Sequence, residues 1–98
     1  MKDGERMTYG VYMLRCSDGT IYSGCARDVD KRLAVHQSGK GAKYTRSRLP
    51  VELVYREAAE DHSAALRREA QLKKLTRAQK LALIAEYEAG GQPGKPEQ

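Results

Sequence analysis

Two runs rich in β-branched and aromatic residues, YGVYMLR and TIYSG, meet at Cys16-Ser17-Asp18-Gly19, and the Asp-Gly pair constrains the chain more than any other feature. Asp-Gly between such runs signals a β-hairpin, because the turn needs a residue that adopts positive φ at no steric cost. Loop length then decides which sheet face each tyrosine occupies. If Asp18-Gly19 is a two-residue loop, Ser17 opposes Thr20, Met13 opposes Gly24, and Tyr12 and Tyr22 point to opposite faces. If Ser17-Asp18-Gly19 is a three-residue loop with Gly19 left-handed, Cys16 opposes Thr20 and Leu14 opposes Tyr22. Tyr12 then shares Tyr22's face as a diagonal neighbour, roughly 7–8 Å away, with Gly24 opposite it. The chain holds 6 Tyr but no Phe and no Trp. A phenylalanine packs as well in a strand without a hydroxyl to satisfy, so the phenols invite a chemical reading.

With 98 residues the chain has room for one core. No apolar run approaches the ~18–20 residues that span a bilayer, and the opening MKDGERM has no apolar signal region, so the expectation is a cytoplasmic protein with no membrane association. Two cysteines, Cys16 and Cys25, are too few for a disulfide framework. With His36 and His62 they match no metal-ligand spacing, which argues against a zinc site. The formal charge of +5 suits a polyanionic partner, and its distribution is informative. From Arg27 to Arg48, seven cations (Arg27, Lys31, Arg32, Lys40, Lys43, Arg46 and Arg48) stand against Asp28 and Asp30.

Asp28 is a good N-cap for a helix from about Val29 to Ser38, closed by Gly39. Val29 and Leu33 form its apolar stripe, with Arg32 and His36 one turn apart along the stripe's edge. The basic, glycine-rich GKGAKYTRSRLP then reads as a loop, and VELVYRE (51–57) as a third strand. A second helix is expected from near Asp61 to Leu75, with Ala65, Leu66, Leu72 and Leu75 on its apolar side. Thr76-Arg77-Ala78-Gln79 is a capping-box pattern that starts a third helix, ending around Ala89. Residues 1–8 read as an N-terminal extension, 9–89 as the domain, and GGQPGKPEQ as a disordered tail from residue 90.

Three features carry chemistry. Glu69 falls within the apolar stripe of the second helix, where an ionised carboxylate needs a positive partner. An arginine ion pair is one account; a general base or a ligand for a hard cation such as Mg²⁺ is the other. Arg32 with His36 is either a solvated helix edge or a charge-stabilising pair beside the hairpin. In GKGAKYTRSR, Lys40, Lys43, Arg46 and Arg48 interleave with Tyr44, a pattern that suits phosphate contacts and base stacking. Without G-x-x-x-x-G-K-[ST] spacing and without a preceding strand, it is not a P-loop.

Taken in order, these pieces resemble the GIY-YIG nuclease superfamily. Gly10-Val11-Tyr12 and Tyr22-Ser23-Gly24 stand at its two motifs, followed by Arg32, His36 and Glu69. VYMLRCSDGTIYSG, SGKGAKYTR, PVELVY and ALRREAQLKKL resemble its small, stand-alone bacterial branch over about residues 9 to 85. The resemblance implies an α+β fold: a three-stranded antiparallel sheet flanked by helices, in the order β-β-α-β-α-α. It also implies a metal-dependent endonuclease acting on DNA, with RNA open as an alternative and a protein partner for targeting. By position, Tyr12 and Tyr22 lie near the attacking water, with Tyr22 as general base. Arg32 stabilises the transition state, His36 orients or deprotonates a phenol, and Glu69 holds a single Mg²⁺ or Mn²⁺. Many family nucleases carry an asparagine after the glutamate, and this chain contains none. The competing reading is a nucleic-acid-binding module with vestigial or partner-dependent chemistry; a third is an interaction domain using the last helix and tail.

Overall fold

The structure is a computed structural model that describes residues 9–90, so the expected extension and all of the tail but Gly90 lie outside the described residues. Strands β1 (Tyr9–Arg15), β2 (Ile21–Ala26) and β3 (Glu52–Ala59) form one antiparallel sheet in the order β2-β1-β3. Helices α1 (Val29–Gln37), α3 (His62–Lys73) and α4 (Arg77–Glu88) flank it, and a short α2 (Lys43–Arg46) follows α1. The protein is α+β with the expected element order, apart from α2, which falls within the segment read as a loop.

The hairpin adopts the three-residue turn. Leu14 pairs with Tyr22 and Tyr12 with Gly24, the Cys16 N–H donates to Thr20 O at 2.9 Å, and Gly19 has φ 85°. Asp18 fixes the turn by accepting from the backbone and side chain of Thr20, as aspartate does in Asx turns. On the β1–β3 side, a bulge at Val54 separates the Met13–Tyr55 and Leu14–Leu53 pairs.

Alternation along β1 splits the core across the sheet. Val11 and Met13 pack with Tyr55, Ala65, Leu72 and Ile84 beneath α3 and α4. Tyr12 and Leu14 pack with Val29 and Val51 on the opposite face, against α1. The helix starts follow the capping residues: Asp28 accepts from Lys31 N–H, Asp61 from Ala64 N–H, and Thr76 with Gln79 completes the capping box. Along α3 the inward line runs through Ala65 and Leu72, both fully buried. Leu66, expected on that side, is 47% exposed, because one residue past Ala65 is about 100° further round a helix. Among the described residues, no helix is long and apolar enough to cross a membrane.

Candidate active site

The turn's register places Tyr12 and Tyr22 on the face covered by α1, and α1 turns Arg32 and His36 toward them. α3 packs on β2 and brings Glu69 alongside. These five residues line one open cleft of about 350 Å³, together with Gly24, Cys25, Lys40, Gly41 and Ala42.

The floor of the cleft is a hydrogen-bonded chain. The Tyr12 hydroxyl lies 3.0 Å from His36 Nε2, and His36 Nδ1 lies 2.9 Å from Thr45 Oγ1. The Thr45 hydroxyl donates to Ala42 O at 2.9 Å. His36 is 1% exposed and Thr45 fully buried, so His36 is no solvated helix edge. Residues 41–45 cover it: a Cβ on Gly41 would stand 2.4 Å from His36 Nδ1, closer than any side chain could approach. Gly24 gives Tyr12 the same room across the strand pair, since a Cβ there would stand 2.6 Å from the hydroxyl.

Burial, with the neighbouring Arg32 guanidinium, holds the His36 imidazole below its ordinary range and therefore neutral. Burial raises the Tyr12 phenol well above its ordinary value, with the nearby Tyr22 adding to the effect. Tyr12 is thus a protonated hydrogen-bonding group. Tyr22 is more open; its ring stands edge-on to His36 at 5.4 Å and stacks on Tyr44 at 5.8 Å. Arg32 is exposed and has no carboxylate partner among the described residues.

Glu69 does have a positive partner, and it is Lys73, one helical turn away at 2.9 Å. The i, i+4 spacing makes this pair readable from the sequence, where an arginine was one of the two expected accounts. Cys25 is the other neighbour: burial, then a hydrogen bond to the Glu69 carboxylate, pushes its thiol up to about 11. No group of three or more His, Cys, Asp or Glu among the described residues is gathered for a metal. A single carboxylate beside an open cleft nonetheless fits a hard cation, which keeps most of its waters and takes oxygens from a substrate phosphate.

The basic segment divides into two parts. Lys40 lines the cleft, while Lys43 and Arg46 project from α2 with no carboxylate partner among the described residues. Arg48 is held: Nε donates to Asp18 at 3.0 Å, an Nη to Tyr44 O, and its guanidinium lies 3.9 Å from the Tyr44 ring centroid. Tyr44 therefore carries Arg48 and Tyr22 against its ring. Sequence reasoning missed Gly41, Thr45 and Lys73; for the first two only the fold brings a glycine and a threonine over the histidine.

Known proteins share this arrangement of sequence. The GIY-YIG catalytic domain family matches residues 8–82. A UPF0213 protein of Staphylococcus epidermidis is 53% identical over 76 residues, covering 78% of this chain and 93% of that protein. One from Streptococcus agalactiae is 52% identical over 77 residues, covering 79% and 88%. The solution structure of the UPF0213 protein of Bacillus halodurans is 44% identical and superposes with a TM-score of 0.53 over 89% of each chain. That of an E. faecalis protein is 36% identical, with a TM-score of 0.57 over 91% of this chain and 95% of that one. The chain belongs to the GIY-YIG nuclease family, among relatives of the UPF0213 group.

Proposed function

We propose that the protein is a metal-dependent endonuclease that hydrolyses DNA phosphodiester bonds, acting on branched or single-stranded sites in repair or recombination. The observation that carries this reading is the convergence of Tyr12, Tyr22, Arg32, His36 and Glu69, from two strands and two helices, on one cleft.

In this reading Tyr22 is the more accessible phenol and takes the proton of the attacking water. An ordinary phenol, with a pKa near 10, needs positive charge nearby to act as a base at neutral pH. Arg32 and Lys40 supply it from the chain. Arg32, free of any described carboxylate, meets the charge that builds on the phosphoryl oxygens in the transition state. His36 holds Tyr12 in place beside it. Glu69 holds Mg²⁺ or Mn²⁺, which supplies positive charge against the phosphate when bound. Lys43 and Arg46, exposed on the α2 that follows the cleft-lining residues Lys40, Gly41 and Ala42, suit backbone phosphates. Tyr44 stacks on Tyr22, carries Arg48 against its ring and stays exposed, which suits stacking against a base.

The test is incubation of the pure protein with labelled single-stranded, duplex and branched DNA, with and without Mg²⁺ or Mn²⁺. Cation-dependent cutting of at least one substrate is expected, and no cutting of any would overturn the reading. The Lys73–Glu69 pair favours a second reading, since a lysine then occupies the carboxylate a cation needs. In that case the protein is a nucleic-acid-binding module whose chemistry depends on a partner, and it binds DNA salt-dependently without turnover.

A further inference from the structure

We infer that Thr45 is a positioning residue that sets the hydrogen-bond polarity of Tyr12 through the tautomer of His36. A threonine hydroxyl has one proton to give. Ala42 O, 2.9 Å away, can take that proton and cannot give one, and with the hydroxyl so turned Thr45 Oγ1 accepts from His36 Nδ1. Nδ1 therefore carries the ring proton. In a neutral imidazole the other nitrogen is then an acceptor, and Nε2 receives the Tyr12 hydroxyl proton across 3.0 Å. The chain of bonds runs one way, from Tyr12 through His36 and Thr45 to the Ala42 carbonyl.

The consequence falls on the cleft. With its proton committed to His36, the Tyr12 oxygen offers only lone pairs to whatever enters. It accepts from a water or hydroxyl and gives nothing to a phosphate oxygen. If Nε2 carried the proton instead, His36 would donate to Tyr12, and the phenol proton would be released toward the cleft. The same two side chains, at the same distance, would then present a donor where an acceptor stood. A buried threonine in α2 thus decides which group Tyr12 presents. Gly41 lets the segment close on the ring, because any side chain there would collide with Nδ1.

The tautomer assignment stands on the hydrogen bonds alone, while its effect on turnover rests on the nuclease reading; the two are separable by experiment. Imidazole nitrogens of ¹⁵N-labelled protein are observed at neutral pH by long-range ¹H–¹⁵N correlation, with His62→Gln distinguishing the two histidines. The wild-type protein is expected to show His36 protonated at Nδ1 and bare at Nε2. Thr45→Val, which removes the hydroxyl at near-constant volume, is expected to shift His36 toward the Nε2–H form, and Thr45→Ser to restore it. A wild-type spectrum with Nε2 protonated overturns the inference without any variant, as does a folded Thr45→Val protein with an unchanged tautomer. In the cleavage assay, Thr45→Val is expected to lower kcat by about 10- to 100-fold, as loss of a partner that orients a functional histidine does, with KM little changed. An unchanged kcat alongside a shifted tautomer would overturn the polarity argument. A wild-type protein that cuts no substrate would overturn the nuclease reading and leave the tautomer result standing.

Discussion

Tyr12 and Gly24 face one another across β1 and β2, and the phenol lies over the space a side chain at residue 24 would fill. A Cβ there would stand 2.6 Å from the hydroxyl and 2.8 Å from the ring carbon bearing it. The glycine of the second motif is thus the seat of the tyrosine of the first.

Gly24→Ala is therefore expected to push Tyr12 off His36 Nε2. Overpacking of this kind costs about 1–3 kcal/mol. Urea denaturation should show that loss, and imidazole ¹⁵N spectra should show His36 without its Tyr12 bond. A variant as stable as wild type, with unchanged His36 signals, would contradict the packing described.

Cys25 reports on Glu69. Its thiol is pushed up to about 11 by burial and then by the adjacent carboxylate, so iodoacetamide should modify it slowly at pH 8 and faster as the pH approaches that value. Glu69→Gln removes one of the two causes and should lower the Cys25 pKa. Alkylation at pH 9 should then accelerate, because the thiolate fraction rises by about tenfold per pKa unit recovered and outweighs the weaker nucleophilicity of a less basic thiolate. Cys16, at 4% exposure, does not compete. Equal rates in the two proteins would show that the carboxylate does not act on the thiol.

Stability should depend on pH through His36. The group is held below its ordinary value near 6.5 by burial and by Arg32, and Tyr12, Tyr22 and Thr45 are its other neighbours. Below that ordinary value the unfolded chain binds a proton that the folded chain refuses, so stability is lost as pH falls from about 6.5 through the lowered folded value. Above the ordinary value the contribution is fully present. Urea midpoints of wild type and His36→Gln should converge as pH drops from 7.5 to 5, and a constant gap would contradict the linkage.

Ser23 carries the one buried side-chain oxygen without a hydrogen-bond partner among the described residues. It points to the α3 side of the sheet, paired with Met13 and away from the Tyr12 face. Ser23→Ala should stabilise the protein by about 1 kcal/mol, the scale of an unmet buried hydroxyl, and leave the cleft unchanged. Thermal unfolding checks this, and a lower Tm for the variant would refute it.

Much of this architecture was legible because its signals are local. Ser-Asp-Gly limited the hairpin to two registers, Asp28, Asp61 and Thr76 marked the helix starts, and Glu69 stood out as a charge in an apolar stripe. The positions that escaped are governed by contacts distant in sequence or by exact helical angle. Lys43–Arg46 is a polar turn following glycines, with no periodicity to separate it from a loop, and α2 is held by the burial of Thr45 against His36. His36 was legible as a candidate beside the hairpin, but a solvated helix edge stayed open for it because nothing near it announces that residues 41–45 fold over the ring. Leu66 looked internal because it is apolar, and only the inward line through Ala65 and Leu72 shows that it is not. Arg48, one of four similar cations, is distinguished only by the Asp18 that the hairpin places beside it.

If the cleft hydrolyses phosphodiesters, Arg32 is the side chain whose loss exposes it, because it is exposed and holds no described ion pair that substitution would break. Single-turnover cleavage by wild type and Arg32→Ala should be compared on the substrate that wild type cuts, with Mg²⁺ or Mn²⁺ present and with Tm and DNA affinity measured in parallel. A fall of about 10²–10³ in the cleavage rate, at unchanged Tm and with affinity altered only slightly, is the predicted result. Equal rates from the two proteins would contradict the account.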